Sequence, residues 1–124
     1  MSVRGVRGAT TASKDQPEAI LSATRELLAA LLRANPEMLT VDIASALFTV
    51  TDDLSSVYPA RAARELGWNE VPLLCTREIP VPGGVERCIR ILLHWNTDLT
   101  QSEIRHVYLG DAASLRPDIS MADF

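Results

Sequence analysis

Lysine is almost missing from this chain: Lys14 stands alone against eleven arginines in 124 residues. Aromatic residues are sparse, with two each of Trp, Tyr and Phe, and the only cysteines are Cys75 and Cys88. No apolar run reaches the roughly 18 residues needed to cross a bilayer. Met1-Ser2-Val3-Arg4 has no apolar segment of the secretion-signal type. Together these absences predict a cytoplasmic protein with free thiols and no membrane partner. The cysteines form no C-x-x-C pair. His94 and His106 have no closely spaced ligand partner, so no metal is expected. Neither thiol has a neighbour in sequence that would activate it as a nucleophile. Pro82-Gly83-Gly84 lacks the following Lys-Ser/Thr of a phosphate loop and reads as a turn. A net charge of −4 implies no general affinity for nucleic acid.

What is present is ordinary for a globule of one domain, residues 1–124, with 47% hydrophobic and 23% charged residues. Residues 3–11 are glycine-broken and suit a strand that allows close backbone approach. Ser13 or Asp15 is the expected cap of a long helix, with Pro17 and Glu18 in its first turn. Its apolar positions, Ala19, Ile20, Ala23, Leu27, Leu28, Leu31 and Leu32, recur at helical spacing up to Asn35-Pro36. Further strands are predicted at 41–50, 71–75, 87–95 and 105–109. A short helix should run from Pro59 to Leu66 and stop at Gly67. Thr100 and Glu103 have capping-box spacing. Pro80 and Pro82 exclude a regular ladder over 77–84. This alternation predicts a mixed α/β (α+β) class, a mixed sheet with one long helix and short ones.

Two arginines fall in costly places. Arg7 sits in Val3-Arg4-Gly5-Val6-Arg7-Gly8-Ala9-Thr10, and Arg90 interrupts Cys88-Ile89-Arg90-Ile91-Leu92-Leu93. Strand alternation sets Arg90 beside Cys88, Leu92 and His94, on a mainly apolar face opposite Ile89, Ile91, Leu93 and Trp95. An arginine cannot shed its charge, so a buried one needs an anion. Two sources stay open: an internal carboxylate, Glu78 or Glu86, or the carboxylate of a ligand.

The chain resembles the monofunctional bacterial chorismate mutases of the trimeric, barrel-like α/β type. The resemblance runs nearly end to end. It is carried by Arg4-Gly5-Val6-Arg7-Gly8-Ala9-Thr10-Thr11, Tyr58-Pro59-Ala60-Arg61-Ala62-Ala63-Arg64-Glu65, Cys75 to Glu78, Gly83-Gly84 with Cys88-Ile89-Arg90, and Arg105-His106-Val107-Tyr108-Leu109 with Leu115-Arg116-Pro117-Asp118. It implies conversion of chorismate to prephenate on the route to phenylalanine and tyrosine. It also implies a homotrimer with sites at subunit interfaces, and neither metal nor cofactor. Arg90, Glu78, Arg7 and Tyr108 fall on the family's central pocket positions. Cys75, Tyr58, Ala60, Arg61 and Arg64 fall around them, as do Leu73, Leu74, Leu115 and Arg116. Tyr58 stands where the family often has Phe, Arg61 where Lys is common, and Leu74 where Thr is frequent. Two other functions remain compatible with an arginine-centred anion pocket. One is a trimeric enamine or imine deaminase; the other is a non-catalytic module binding a small carboxylate.

Overall fold

The structure is a computed structural model that describes residues 1–115. Five strands form one mixed sheet. They are β1 (Ser2–Thr11), β2 (Ile43–Val50), β3 (Leu73–Arg77), β4 (Cys88–Thr97) and β5 (Val107–Tyr108), in the spatial order β3-β2-β4-β1-β5. The central strand β4 runs antiparallel to both neighbours, β1 and β2, while the two edge strands pair in parallel. Two helices, α1 (Pro17–Ala34) and α2 (Ala60–Glu65), complete the α+β architecture.

The helical spacing read from the sequence becomes the buried stripe of α1: Ile20, Leu21, Leu27, Leu28 and Leu31. It packs on the sheet face that carries Val6, Phe48, Ile91, Leu93 and Trp95, all at most 2% exposed. Gly8 permits the close approach. A Cβ there would come within 2.9 Å of Leu31 Cδ1 and 3.1 Å of Ile91 Cγ2, inside normal contact distance.

Several expectations shift. Neither Ser13 nor Asp15 caps α1. Gln16 occupies the cap position with no side-chain hydrogen bond. Asp15 instead accepts the backbone N–H groups of Ser55 and Ser56, at 3.0 and 3.1 Å. Because donors from a distant turn compete for its oxygens, the helix loses its cap and the turn gains an anchor. The second strand begins at Ile43, not 41, since residues Thr40–Asp42 form a single tight helical turn. Val71 is buried but precedes β3, which runs on to Arg77. The last strand shrinks to two residues because β5 pairs with β1 only at Gly8 and Ala9. At Thr100 the capping box forms as its spacing implies.

Candidate active site

The second face of the sheet carries the polar chemistry. Register places Thr76, Thr49, Arg90, Ala9 and Tyr108 side by side in one row across all five strands. The minimal side chain of Ala9 lies between Arg90 and Tyr108. Two inter-strand steps of roughly 4.8 Å therefore separate their backbones, about 10 Å in all, and Ala112 and Leu115 pack over Ala9 and Tyr108. Arg7 lies two positions from Ala9 on the same face of β1. Its guanidinium sits 5.9 Å from the centre of the Tyr108 ring, within cation–π range.

Alternation holds along β4, but the environment of Arg90 departs from the sequence expectation. Arg90, Leu92 and His94 are only half-buried, and the Arg90 side chain keeps 30% of its exposure. The closed apolar face is the opposite one. The reason is the placement of the helices: α1 and α2 cover the Ile91 side and leave the Arg90 side partly open. The internal carboxylate is Glu78, whose Oε2 lies 3.4 Å from Arg90 Nε. Glu86 pairs with Arg87 instead. The same Glu78 oxygen accepts the Thr49 hydroxyl at 2.5 Å. Arg90 Nε, although buried, makes no hydrogen bond among the described residues, and neither does the buried Tyr108 hydroxyl. Two donors without partners thus flank Ala9, in a region already holding two positive charges. Unsatisfied donors of this kind are costly unless something else occupies the site.

Arg90 and Glu78 open into a cavity of about 440 Å³. The turn Thr51–Asp53 and the loop segments 79–81 and 84–86 form the rest of its wall. The rim is anchored. Arg87 takes a left-handed backbone conformation (φ 48°), held by a hydrogen bond from its N–H to Asp53 Oδ2 and from its Nε to the Ala12 carbonyl. Thr51 Oγ1 accepts the Cys88 N–H at 2.9 Å, which ties the start of β4 to the same turn. Sequence reasoning missed Thr49, Thr51, Asp53 and Arg87. Of these only Thr49 had a readable signal, a hydroxyl amid the apolar run of β2.

Of the remaining residues singled out by resemblance, most lie away from this row. Cys75 pairs with Phe48 in register, so it points to the helix side of the sheet, next to the Ala60 backbone. With Tyr58, Pro59 and Arg77 it lines a separate cavity of about 320 Å³ that shares no lining residue with the first. Tyr58 is 71% exposed, whereas Ala60 is buried at the start of α2. Arg61 faces Glu65 at 3.8 Å, and Arg64 is exposed near Cys75. Leu73 packs toward the core, while Leu74 is 65% exposed. Leu115 packs with Ala9, Cys88 and Tyr108. Arg116 lies outside the described residues.

Burial pushes the Cys75 thiol up, against the opposing pull of the Ala60 N–H and the Arg64 charge. Burial likewise raises Cys88, which the neighbouring Arg90 charge only partly offsets. Both are therefore neutral thiols at physiological pH, poor nucleophiles and poor metal ligands. Among the described residues no three His, Cys, Asp or Glu side chains converge in a metal-binding arrangement. His94 shares a 2.9 Å hydrogen bond with Ser45, and His106 Nδ1 accepts the Arg7 N–H. Nor does any described helix have the length and apolarity to cross a membrane.

Comparison with known proteins identifies the family. The family described as chorismate mutase type I matches residues 3–119. A chorismate mutase AroH of Thermus thermophilus is 54% identical over 120 residues, covering 97% of this chain and 98% of the relative. The chorismate mutase AroH of Bacillus subtilis is 45% identical over 125 residues, covering 98% and 95%. A solved structure, the chorismate mutase from Clostridium thermocellum, superposes with a TM-score of 0.86 at 44% identity, covering 89% of this chain and 97% of its own. The chain belongs to the type I chorismate mutase family.

Proposed function

We propose that this chain rearranges chorismate to prephenate, in the route to phenylalanine and tyrosine, with Arg90 as the central electrostatic group. The observation that carries the reading is the Arg90–Ala9–Tyr108 row. Two buried donors with no hydrogen-bond partner among the described residues, and the nearby Arg7, gather groups that suit an ether oxygen and a carboxylate, and Arg90 itself lines the cavity of about 440 Å³.

The chemistry needs no acid, base or nucleophile. One C–O bond breaks while one C–C bond forms in a single cyclic shift of electrons. Bond breaking runs ahead, so the ether oxygen gains negative charge in the transition state. A fixed guanidinium at that oxygen stabilises the transition state more than the ground state. The planar fork of Arg90 can reach the ether oxygen and an adjacent carboxylate together. Arg7 and Tyr108 hold the side-chain carboxylate and keep the enolpyruvyl group folded over the ring, which lowers the barrier by positioning. Glu78 accepts the ring hydroxyl and faces the cationic character developing on the ring.

Cys75 faces the helix side of the sheet, away from Arg90, and with Tyr58 lines a cavity that shares no residue with the Arg90 cavity, while Arg64 lies near Cys75. The reading therefore assigns them to a site completed by a neighbouring copy. That gives a homotrimer with interfacial sites, in which Cys75 contacts the ring hydroxyl and Arg64 and Arg116 draw the dianion toward the mouth. Residues 1–124 act as one domain in the cytoplasm, with chorismate as substrate and without metal or cofactor. The comparisons favour neither a deaminase nor a non-catalytic carboxylate-binding module. The deciding experiment follows chorismate absorbance with the purified chain. Loss of chorismate with equimolar prephenate is expected, and an unchanged chorismate spectrum overturns the reading.

A further inference from the structure

Thr49 lies at the point where two demands on one oxygen meet. Its hydroxyl donates to Glu78 Oε2 at 2.5 Å. That same oxygen lies 3.4 Å from Arg90 Nε, yet Arg90 Nε makes no hydrogen bond among the described residues. The register explains the geometry: Thr49 faces Arg90 directly across the β2–β4 pair, and Glu78 follows β3 on the same side. The Glu78 backbone is itself tethered, its N–H donating to the Val50 carbonyl at 2.9 Å. With the backbone held, only the carboxylate can swing. A charge-assisted hydrogen bond is stronger than a neutral one and fixes a preferred direction.

We propose that Thr49 is a positioning residue for the rearrangement. Its hydroxyl holds the Glu78 carboxylate back from a full hydrogen-bonded ion pair with Arg90, and so keeps the Arg90 fork open to substrate. This rests on the chorismate mutase reading above. Without the hydroxyl, Glu78 Oε2 regains a free lone pair and turns onto Arg90 Nε. The guanidinium is then engaged before substrate arrives, and its charge is partly neutralised where the ether oxygen needs it. The resulting loss falls on kcat, because the ether oxygen becomes electron-rich only on the way to the transition state.

The test separates hydroxyl from methyl. Thr49→Val keeps the shape and the β-branching but loses the donor, whereas Thr49→Ser keeps the donor and loses the methyl. Activity should follow the hydroxyl: kcat for Thr49→Val falls about tenfold with KM changed less than about threefold, while Thr49→Ser stays within about threefold of wild type. Stability should follow the methyl, with Thr49→Val melting at or above wild type and Thr49→Ser below it. Wild-type turnover in Thr49→Val overturns the proposal. So does activity that ranks with melting temperature, since that marks a purely structural role. If Thr49→Val does not fold, Thr49→Ala against Thr49→Ser makes the same comparison. A wild-type chain that leaves chorismate unchanged removes the parent reading itself, a result distinct from an active wild type matched by Thr49→Val.

Discussion

The two faces of the sheet are built from the same strands and obey opposite rules. One face, carrying Val6, Phe48, Ile91, Leu93 and Trp95, is covered by α1 and α2, and its charged side chains, Arg4 and Arg77, stand at its margins opposite Trp95 and Val50. The other carries Arg7, Thr49, Arg90 and His94, none of them fully buried. Residues adjacent in sequence, such as Arg90 and Ile91, therefore differ more in environment than residues forty positions apart. Apolar surface removed from water on the closed face stabilises the fold. On the open face charges and donors stay incompletely paired, which is costly for stability and is what substrate recognition requires.

The largest effect should come from the closed face. Phe48→Ala removes a fully buried side chain and should cost about 3–5 kcal/mol of unfolding free energy, measured by denaturant titration. The rearrangement should continue at a near-normal rate in whatever fraction stays folded. Arg90→Lys reverses the pattern. It keeps the charge but loses the fork, so kcat should fall on the order of a hundredfold or more, about 2.7 kcal/mol, with little change in melting temperature. Near wild-type turnover would remove Arg90 from the central role. If both substitutions damage stability and turnover in equal proportion, the division between the faces fails.

The smallest effect concerns the turn that walls the site. The Ser55 N–H, with further donors from Ser56, holds the Asp15 carboxyl below the usual carboxylate range. The folded chain thus prefers the ionised form more than the unfolded chain does. That contribution is complete at neutral pH and drains away as pH falls through the ordinary carboxylate range to the lowered value. Asp15→Asn should flatten this part of the acid-stability curve and loosen the 51–56 turn slightly, since the group is solvent-exposed. An acid limb identical to wild type would show that the contact contributes nothing.

Much of this was legible in the chain itself. The spacing of Ile20, Leu27, Leu28 and Leu31 is enough to place α1, and the parity of Ile89, Ile91, Leu93 and Trp95 is enough to assign the core side of β4. Segments such as Arg4 to Thr11 and Tyr58 to Glu65 carried the family resemblance, and with it the candidates for the central residues. What stayed hidden was depth and partnership. Arg90 read as sunk in an apolar face, but coverage depends on where helices land. Glu78 and Glu86 were equivalent candidates until β3 placed one beside Thr49 and Arg90 while Glu86 paired with Arg87. Asp15 read as a helix cap because nothing local reveals a competing pair of donors forty residues away.

The sequence by itself determined which residues could be core, where the long helix lies, and that two permanent cations interrupt strands. Those properties follow from local periodicity and side-chain chemistry, and every neighbour along the chain contributes to them. Only the tertiary structure decided that Arg90, Ala9 and Tyr108 stand in one row, that Thr49 and Arg90 meet at a single oxygen of Glu78, and that Cys75 faces away from them. Strand order and register are set by packing between distant segments, and a contact between residues far apart in the chain leaves no mark on the residues beside it.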